Sequence, residues 1–487
     1  MCTLIKKINS FLNLRNMSKN EQPIIVGLDI GTTKVVAIAG RKNEYGKVEI
    51  LGFGRADSAG VSHGVVMNIE QCIRSIEQAF ERCLLSNPNL ELKEVYVGIA
   101  GQHIKSLQTR GDRVRSNSDT EISQEDIDML VRDQNKTYIP AGDQIIDIVP
   151  QDFTVDNTAY VLDPIGMSGV KIGANFHVIT GDRNAIRNIK RCVDKSGLIT
   201  RDLVLQPLAS AASVMNDEDL EAGVAIVDIG GGTTDMAVFY DGILKHTAVI
   251  PYAGVNITND IRNGLGVLRA QAEQMKVQFG TALAEEANGN AYITIPGLRG
   301  LPPKEISVKN LAHIIQARMQ EILDYVMYHL KQVDLDKKLY GGIILTGGGA
   351  QLKHITQLTE FVTGMGARIG YPNEHLAGGH AESLMNPMYS TCIGLILRGY
   401  HDYENGKMRF TGEGGNFIRI SGEELKPIMN DIEVVEQPTA EEKRPEVQEE
   451  ISREKVRKRN DKVKHLFDGL KGKFMKMFED VEDQEIG

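Results

Sequence analysis

The stretch IIVGLDIGTTKVVAIAG at 24–40 returns two hundred residues later as VAIVDIGGGTTDMAVFY at 224–240. Each copy runs an apolar strand into an acid, Asp29 or Asp228, turns through glycine and a Thr-Thr pair, and leaves along a second apolar strand. The pattern predicts a β-hairpin whose tip carries a carboxylate and exposed backbone N–H groups. Glycine lets the main chain approach an anion closely, and successive amides form a concave nest for phosphate oxygens. A carboxylate at such a tip repels phosphate unless a cation lies between them, so the pairing implies Mg²⁺ held largely through water. A single D-x-G-T-T is weak, because any hairpin turn favours these residues; two copies, each ending an apolar strand, are far more specific.

A third glycine turn lies in IILTGGGAQLKHI, which reads as a strand, a Gly347-Gly348-Gly349 turn and then a helix. Glycine there allows a flat adenine or its α-phosphate to lie against main chain. No G-x-x-x-x-G-K-[ST] occurs, which excludes the P-loop class. From Pro23 to about residue 425, strand-like runs alternate with helical patterns such as 69–85 and 308–332, and this reads as α/β.

The chain has 487 residues, a prior for about three domains. Lys plus Arg number 55 against 65 for Asp plus Glu, and the net charge of −10 argues against a surface that coats nucleic acid. Five cysteines (Cys2, Cys72, Cys83, Cys192 and Cys392) are scattered with no CxxC, which fits a reducing compartment and argues against a zinc site or disulfide scaffold. No run approaches the ~18 apolar residues of a spanning helix. The first twenty residues make a poor signal peptide and read as an extension ahead of a start at Met17.

After Pro427 the composition changes. Residues 431–450 hold eight acidic residues against two basic ones and read as a disordered linker. Residues 453–476 then carry ten Lys or Arg against three acids, a local charge of +7. Leu466, Phe467, Leu470, Phe474, Met477 and Phe478 recur at helical spacing as one apolar stripe, with Lys471, Lys473 and Lys476 beside or opposite it. A basic amphipathic helix of this kind is the signature of an interfacial anchor on anionic lipid. Docking on the protein's own body is disfavoured by the linker's length, and a nucleic-acid arm does not need a continuous apolar stripe. Gly469 and Gly472 each weaken the helix by about 1 kcal/mol, which makes it a helix that forms on the membrane.

The two hairpins and the late GGG turn resemble those of the actin, heat-shock-chaperone and sugar-kinase superfamily. Within it, the chain closely resembles the FtsA family of bacterial cell-division proteins. The residues that carry this are GLDIGTTKV (27–35), VGIAGQHIKS (97–106), DPIGMSGVK (163–171), VDIGGGTTDMAV (227–238), LTGGGAQL (345–352) and NPMYSTCIGL (386–395). The resemblance implies an α/β, actin-like (ribonuclease H-like) two-lobed fold with an FtsA-type inserted subdomain, a disordered linker and a C-terminal amphipathic helix. After a flexible extension over 1–21, the first lobe spans 22–102, 178–216 and 386–425, with the insert at 103–177. The second lobe spans 217–256 and 337–385, with a small upper subdomain at 257–336. The linker covers 426–452 and the membrane helix 453–482.

By the same resemblance, Asp29 and Asp228 orient Mg²⁺ through water. Gly31, Thr32 and Thr33 form the first phosphate loop, and Gly230, Gly231, Gly232, Thr233 and Thr234 the second. Lys34 either reaches a phosphate or points outward. Gln206 falls where relatives position the attacking water, although a polar residue at a helix start is also an ordinary cap. Glu273 and Lys276, three apart on one helix face, either hold the ribose and flank the adenine or form a solvated ion pair. Gly254 and the 347–349 glycines complete the ATP site. Arg318 is a candidate contact for the tubulin-like partner FtsZ, or a solvated arginine. The remaining partners implied are the chain itself in an actin-like filament, anionic membrane lipids and later division proteins at the septum, with no nucleic acid. Hydrolysis is expected to be slow at most. A pilus-assembly actin-like ATPase and a sugar- or acetate-kinase-type phosphotransferase are the alternatives, and the basic tail disfavours both.

Overall fold

Every residue of β1 (Ile25–Ile30) is buried, Asp29 included, as expected of a mostly apolar strand covered on both faces. In the computed structural model, which describes residues 22–404 except 89, 91, 116–119, 298–301 and 378–381, β1 is the centre of the first sheet. It turns back antiparallel into β2 (Lys34–Lys42), which pairs with β3 (Val48–Asp57). A two-residue pair, β4 (Val61–Ser62) and β5 (Val65–Val66), precedes the helix Ile69–Leu85. On the other side of β1 lies β6 (Glu94–Ile99), parallel to it. The Asn68 side chain caps the 69–85 helix by accepting from the Gln71 N–H, and Cys72, Ile76, Ala79, Phe80 and Cys83 bury one helix face on the sheet.

The chain then leaves the lobe to build a separate sheet from β7 (Lys105–Val114), β8 (Asp143–Val155), β9 (Thr158–Val161) and β10 (Lys171–Asp182), in the order β7-β10-β8-β9. One helix, Gln124–Gln134, covers it with Ile127 and Leu130 against Phe153, Ile172 and Phe176. At that helix start the Asp126 carboxylate accepts from the Ser123 N–H at 3.0 Å, a capping contact that satisfies a main-chain donor of the first turn. The helix Arg183–Lys195 and β11 (Ile199–Leu205) return the chain to the first sheet, β11 parallel to β6.

The second lobe repeats the first. β12 (Val224–Ile229), β13 (Thr234–Tyr240) and β14 (Ile243–Ile250) form an antiparallel run. A hairpin of β15 (Tyr292–Ile295) and β16 (Lys304–Ser307) belongs to a small subdomain with helices Gly254–Leu265, Arg269–Phe279 and Val308–Gln332. β17 (Gly342–Thr346) and β18 (Ala367–Ile369) then add in parallel beside β12. The order β14-β13-β12-β17-β18 matches β3-β2-β1-β6-β11 strand for strand and direction for direction. The repeat read from two short motifs is therefore a repeat of whole sheets.

Two helices cross where the lobes meet. Gln206–Val214 follows β11 directly, and Ser390–Glu404 crosses it at Gly394, where a Cβ would lie 1.7 Å from the Ala209 carbonyl oxygen. Ala211 and Val214 pack on β12 and β17, whereas Ala209 packs with the face of the first sheet under Ile393 and Ile396. Among the described residues no helix is long and apolar enough to cross a membrane. The linker and the membrane stripe from Leu466 to Phe478 lie outside the described residues.

Candidate functional site

The two hairpins point their tips at each other, and their Thr-Thr pairs stand two residues out of register. In the first, Gly31 N–H closes on the Lys34 carbonyl at 2.9 Å, so Thr32 and Thr33 occupy the tip. In the second, Gly230 N–H closes on the Thr233 carbonyl at 3.0 Å, so the tip is Gly231 and Gly232. The threonines that align in sequence thus do not align in space. A Cβ on Gly231 would come within 2.4 Å of Thr33 Cγ2, and one on Gly232 within 2.4 Å of Thr32 Oγ1. Threonine on one tip demands glycine on the other. Thr233 and Thr234 sit at the base, where their hydroxyls already donate to Asp235 Oδ2 and the Tyr252 carbonyl, both at 2.8 Å.

Behind the tips, one helix collects both acids. Gln206 Nε2 donates to Asp29 Oδ1 at 2.9 Å, and Ser210 Oγ donates to Asp228 Oδ2 at 2.6 Å. These residues are four apart, one above the other on one helix face, so a single helix binds the first lobe's acid and the second lobe's. Thr391, from the crossing helix, gives Asp228 a second donor at 3.1 Å. Gln206 is therefore no cap: Leu205 occupies that position, and the Gln206 amide reaches the acid of the first hairpin, in its own lobe. Lys34 points neither outward nor free, since its ammonium lies 3.5 Å from Asp29 Oδ2.

Sequence reasoning missed Asp235. It faces Asp228 across the β12–β13 ladder, is 3% exposed, and its Oδ1 has no hydrogen-bond partner. Burial, with the neighbouring Asp228 carboxylate adding to it, pushes its pKa up to about 8. Burial also raises Asp228, against the hydroxyls of Ser210 and Thr391 and the charge of Lys34. Three buried acids against one nearby ammonium form a site short of positive charge, and an unpartnered buried carboxylate oxygen suits a hydrated dication. Among the described residues no three acidic, histidine or cysteine side chains converge closely enough to grip a metal directly. The signal for Asp235 was present as the acid closing GGGTTD, but its pairing with Asp228 follows only from the hairpin register.

The other candidates gather around the second tip. Gly254 N–H and Val255 N–H, at the start of their helix, donate to the carbonyls of Gly230 and Gly231 at 3.1 and 2.8 Å. The Lys276 ammonium donates to the Gly254 carbonyl, Thr258 Oγ1 and Glu273 Oε2 at 3.0, 2.9 and 2.8 Å. All three of its protons are placed, so the pair is a tethered network and not a solvated one, with Glu273 its accessible member. The 347–349 turn passes into a short 3₁₀ segment before the helix Ile355–Thr363 begins. A Cβ on Gly347 would meet Asp228 Oδ1 at 2.2 Å and one on Gly349 would meet Ile229 Cγ2 at 2.3 Å, while Gly348 faces open space. Arg318 lies apart, on the small subdomain. Its guanidinium holds Asp260 at 2.6 and 3.2 Å, binds Glu321, and covers the Tyr252 ring at 5.3 Å, so it is neither solvated nor free.

Duplicated sheets joined by a crossing pair of helices, with opposed hairpins between them, define the actin-like class of proteins. Solved structures agree on the fold. The PilM–PilN type IV pilus biogenesis complex superposes with a TM-score of 0.56 at 15% identity, covering 77% of this chain and 98% of that one. MreB5 of Spiroplasma citri bound to ADP gives 0.50 at 14% identity, covering 80% and 99%. The sequence comparisons are narrower. The family model described as cell division protein FtsA matches residues 225–394, and the SHS2 domain inserted in FtsA matches 101–180, the stretch that holds the separate sheet. Cell division protein FtsA of Pseudomonas aeruginosa is 37% identical over 406 residues, 83% of this chain and 95% of that protein. The FtsA of Escherichia coli K12 is 32% identical over 410 residues, 82% and 96%. The chain belongs to the FtsA family of cell-division proteins.

Proposed function

We propose that the chain binds ATP with Mg²⁺ between its lobes and polymerises as an actin-like filament on the inner face of the cytoplasmic membrane. There it tethers FtsZ to the division septum and meets later division proteins. The observation that carries the nucleotide reading is the pair of opposed tips whose acids, Asp29 and Asp228, hang from one helix through Gln206 and Ser210. Mg²⁺ bound there supplies charge neutralisation between carboxylates and phosphates. Asp29, Asp228 and the unpartnered oxygen of Asp235 are the groups that would hold its water shell. The ADP carried by the related MreB5 fold supports a nucleotide as the ligand class.

Gln206 keeps its amide N–H on Asp29, which leaves the carbonyl oxygen to accept from a water. An amide orients that water but takes no proton, so hydrolysis is slow and the nucleotide acts chiefly as a switch. A sugar- or acetate-kinase reading has no use for a lipid-binding tail. A pilus-assembly role shares the fold but has no use for a tail charged +7 over 453–476.

Liposome co-sedimentation with ATP tests the membrane half. The full chain is expected to pellet with anionic vesicles and a chain ending at about residue 450 to remain in the supernatant. Equal pelleting of both would remove the anchor from the account.

A further inference from the structure

The inserted sheet touches both lobes. Its root is on the first, at His103, whose two ring nitrogens are buried without a partner. Gly101 (φ +127°) passes directly over that ring, where a Cβ would meet His103 Nδ1 at 2.9 Å, and beside it the loop carrying Gly64 presses on Ala100. The Gly64 N–H in turn donates to Thr32 Oγ1 at 3.3 Å. The insert is thus rooted beneath a loop that also holds the first hairpin tip.

Its flank is on the second lobe. β14 is an edge strand there, with main-chain groups that no neighbouring strand pairs. A shift in its register with β13 leaves Lys245 as an extra residue. Insert side chains cover that edge. Gln151 donates to the Leu244 carbonyl, Gln108 to the Lys245 carbonyl at 3.3 Å, and Ser106 to the Thr247 carbonyl at 3.4 Å. His177 Nε2 lies 2.8 Å from Thr247 Oγ1, and Gln108 Nε2 lies 3.1 Å from His177 Nδ1. An amide nitrogen only donates, so Nδ1 accepts, and the ring proton sits on Nε2 facing Thr247. The Lys245 carbonyl, an acceptor only, fixes the same orientation of the Gln108 amide.

We propose that the inserted subdomain is a strut between the lobes, so that cleft spacing and docking of the insert on β14 form one coupled equilibrium. Thr32 and Thr33 already touch Gly231 and Gly232, so a ligand lodged between the tips must part the lobes. Parting by about 1 Å carries bonds of this kind past hydrogen-bond range. The insert then either undocks from β14 or swings on its root, and in both cases it reports the state of the cleft. Only the ligand between the tips rests on the nucleotide reading; the docking of the insert on β14 does not. Linkage then makes ATP affinity and insert docking change each other by one common factor.

The test uses the full-length chain with Cys2→Ser and spin labels at Glu81→Cys and Gln357→Cys, exposed positions on helices of the first and second lobes. Cys72, Cys83, Cys192 and Cys392 are buried and escape labelling. Pulsed electron paramagnetic resonance should give one narrow distance distribution, which Q108L/T247V broadens and shifts, while T247S, retaining the hydroxyl, does not. Circular dichroism establishes that the double variant is folded; if it is not, Q151A carries the same readout with the His177 contacts intact. An unchanged distribution in the folded variant overturns the strut. ATP·Mg²⁺ titration of the same proteins should show a change of about five-fold or more, the lower end of ordinary couplings. A wild-type chain that binds no ATP overturns the nucleotide reading alone, and the label distances still decide the strut.

Discussion

Asp235→Asn should stabilise the protein in the absence of Mg²⁺. Asp235 is raised from 3.8 to about 8 by burial and by Asp228. Between those values the folded chain holds a proton that the unfolded chain has lost, so stability falls as pH rises through that window. At pH 7 the gap of about three units corresponds to roughly 4 kcal/mol, an upper bound for a site this buried. Asparagine keeps the shape and, through its carbonyl, the acceptor for Thr233, while it cannot ionise. Urea unfolding of both proteins, at equal m-values, reads the difference directly. The advantage of the variant should shrink from about 4 kcal/mol at pH 7 to under about 2 at pH 5, as the unfolded acid approaches its own titration. Added Mg²⁺ should narrow the gap from the other side, by stabilising the wild type more than the variant. A variant no more stable than wild type at pH 7, or an advantage that does not change with pH, would refute the reasoning.

Gly394→Ala should lower the denaturation midpoint sharply, because its Cβ falls 1.7 Å from the Ala209 carbonyl and the crossing helices must move apart; overpacking of this kind costs about 1–3 kcal/mol or more, and an unchanged midpoint would contradict the crossing. Gly231→Ala should leave the fold intact and weaken ATP binding by forcing Thr33 aside, measured by fluorescent-nucleotide titration with a Gly366→Ala control, whose Cβ meets nothing and which is not among the candidate site residues. His177 and His246 are each lowered to about 4, chiefly by burial and then by a facing histidine, His246 for the first and His329 for the second. Their neutral forms are the ones the fold stabilises, so stability should be complete above about 6.5 and fall as pH drops toward 4. Thermal melts across that range should show the slope, and a flat profile would count against the histidine-lined contact.

The architecture was legible because it is written locally. Two apolar runs, each ending in an acid and a glycine turn, predict hairpins, and their spacing predicts the duplication. The glycine and threonine letters also mark the tips, but the letters align Thr32–Thr33 with Thr233–Thr234, whereas hydrogen-bond closure aligns them with Gly231–Gly232. Two extra glycines change which side chains stand at a tip, and only the ladder register decides it. Asp235 was lost for the same reason: its importance comes from facing Asp228 across the ladder. Gln206, Ser210 and Thr391 form a further class. Ser210 and Thr391 are 181 residues apart and meet on one carboxylate because two helices cross, a contact that no local pattern encodes. Arg318 shows the converse, since an arginine on a helix reads as solvated until Asp260, Glu321 and Tyr252 are found around it.

In the proposed cleft, two opposed acids, Asp29 and Asp228, position a nucleotide through Mg²⁺. Titration calorimetry with ATP, with and without Mg²⁺, on wild type and Asp228→Ala measures it most directly. Saturable binding that needs Mg²⁺ in the wild type, and that loses affinity and its Mg²⁺ requirement together in the variant, is the expected result. Binding by Asp228→Ala at unchanged affinity and unchanged Mg²⁺ dependence would contradict it.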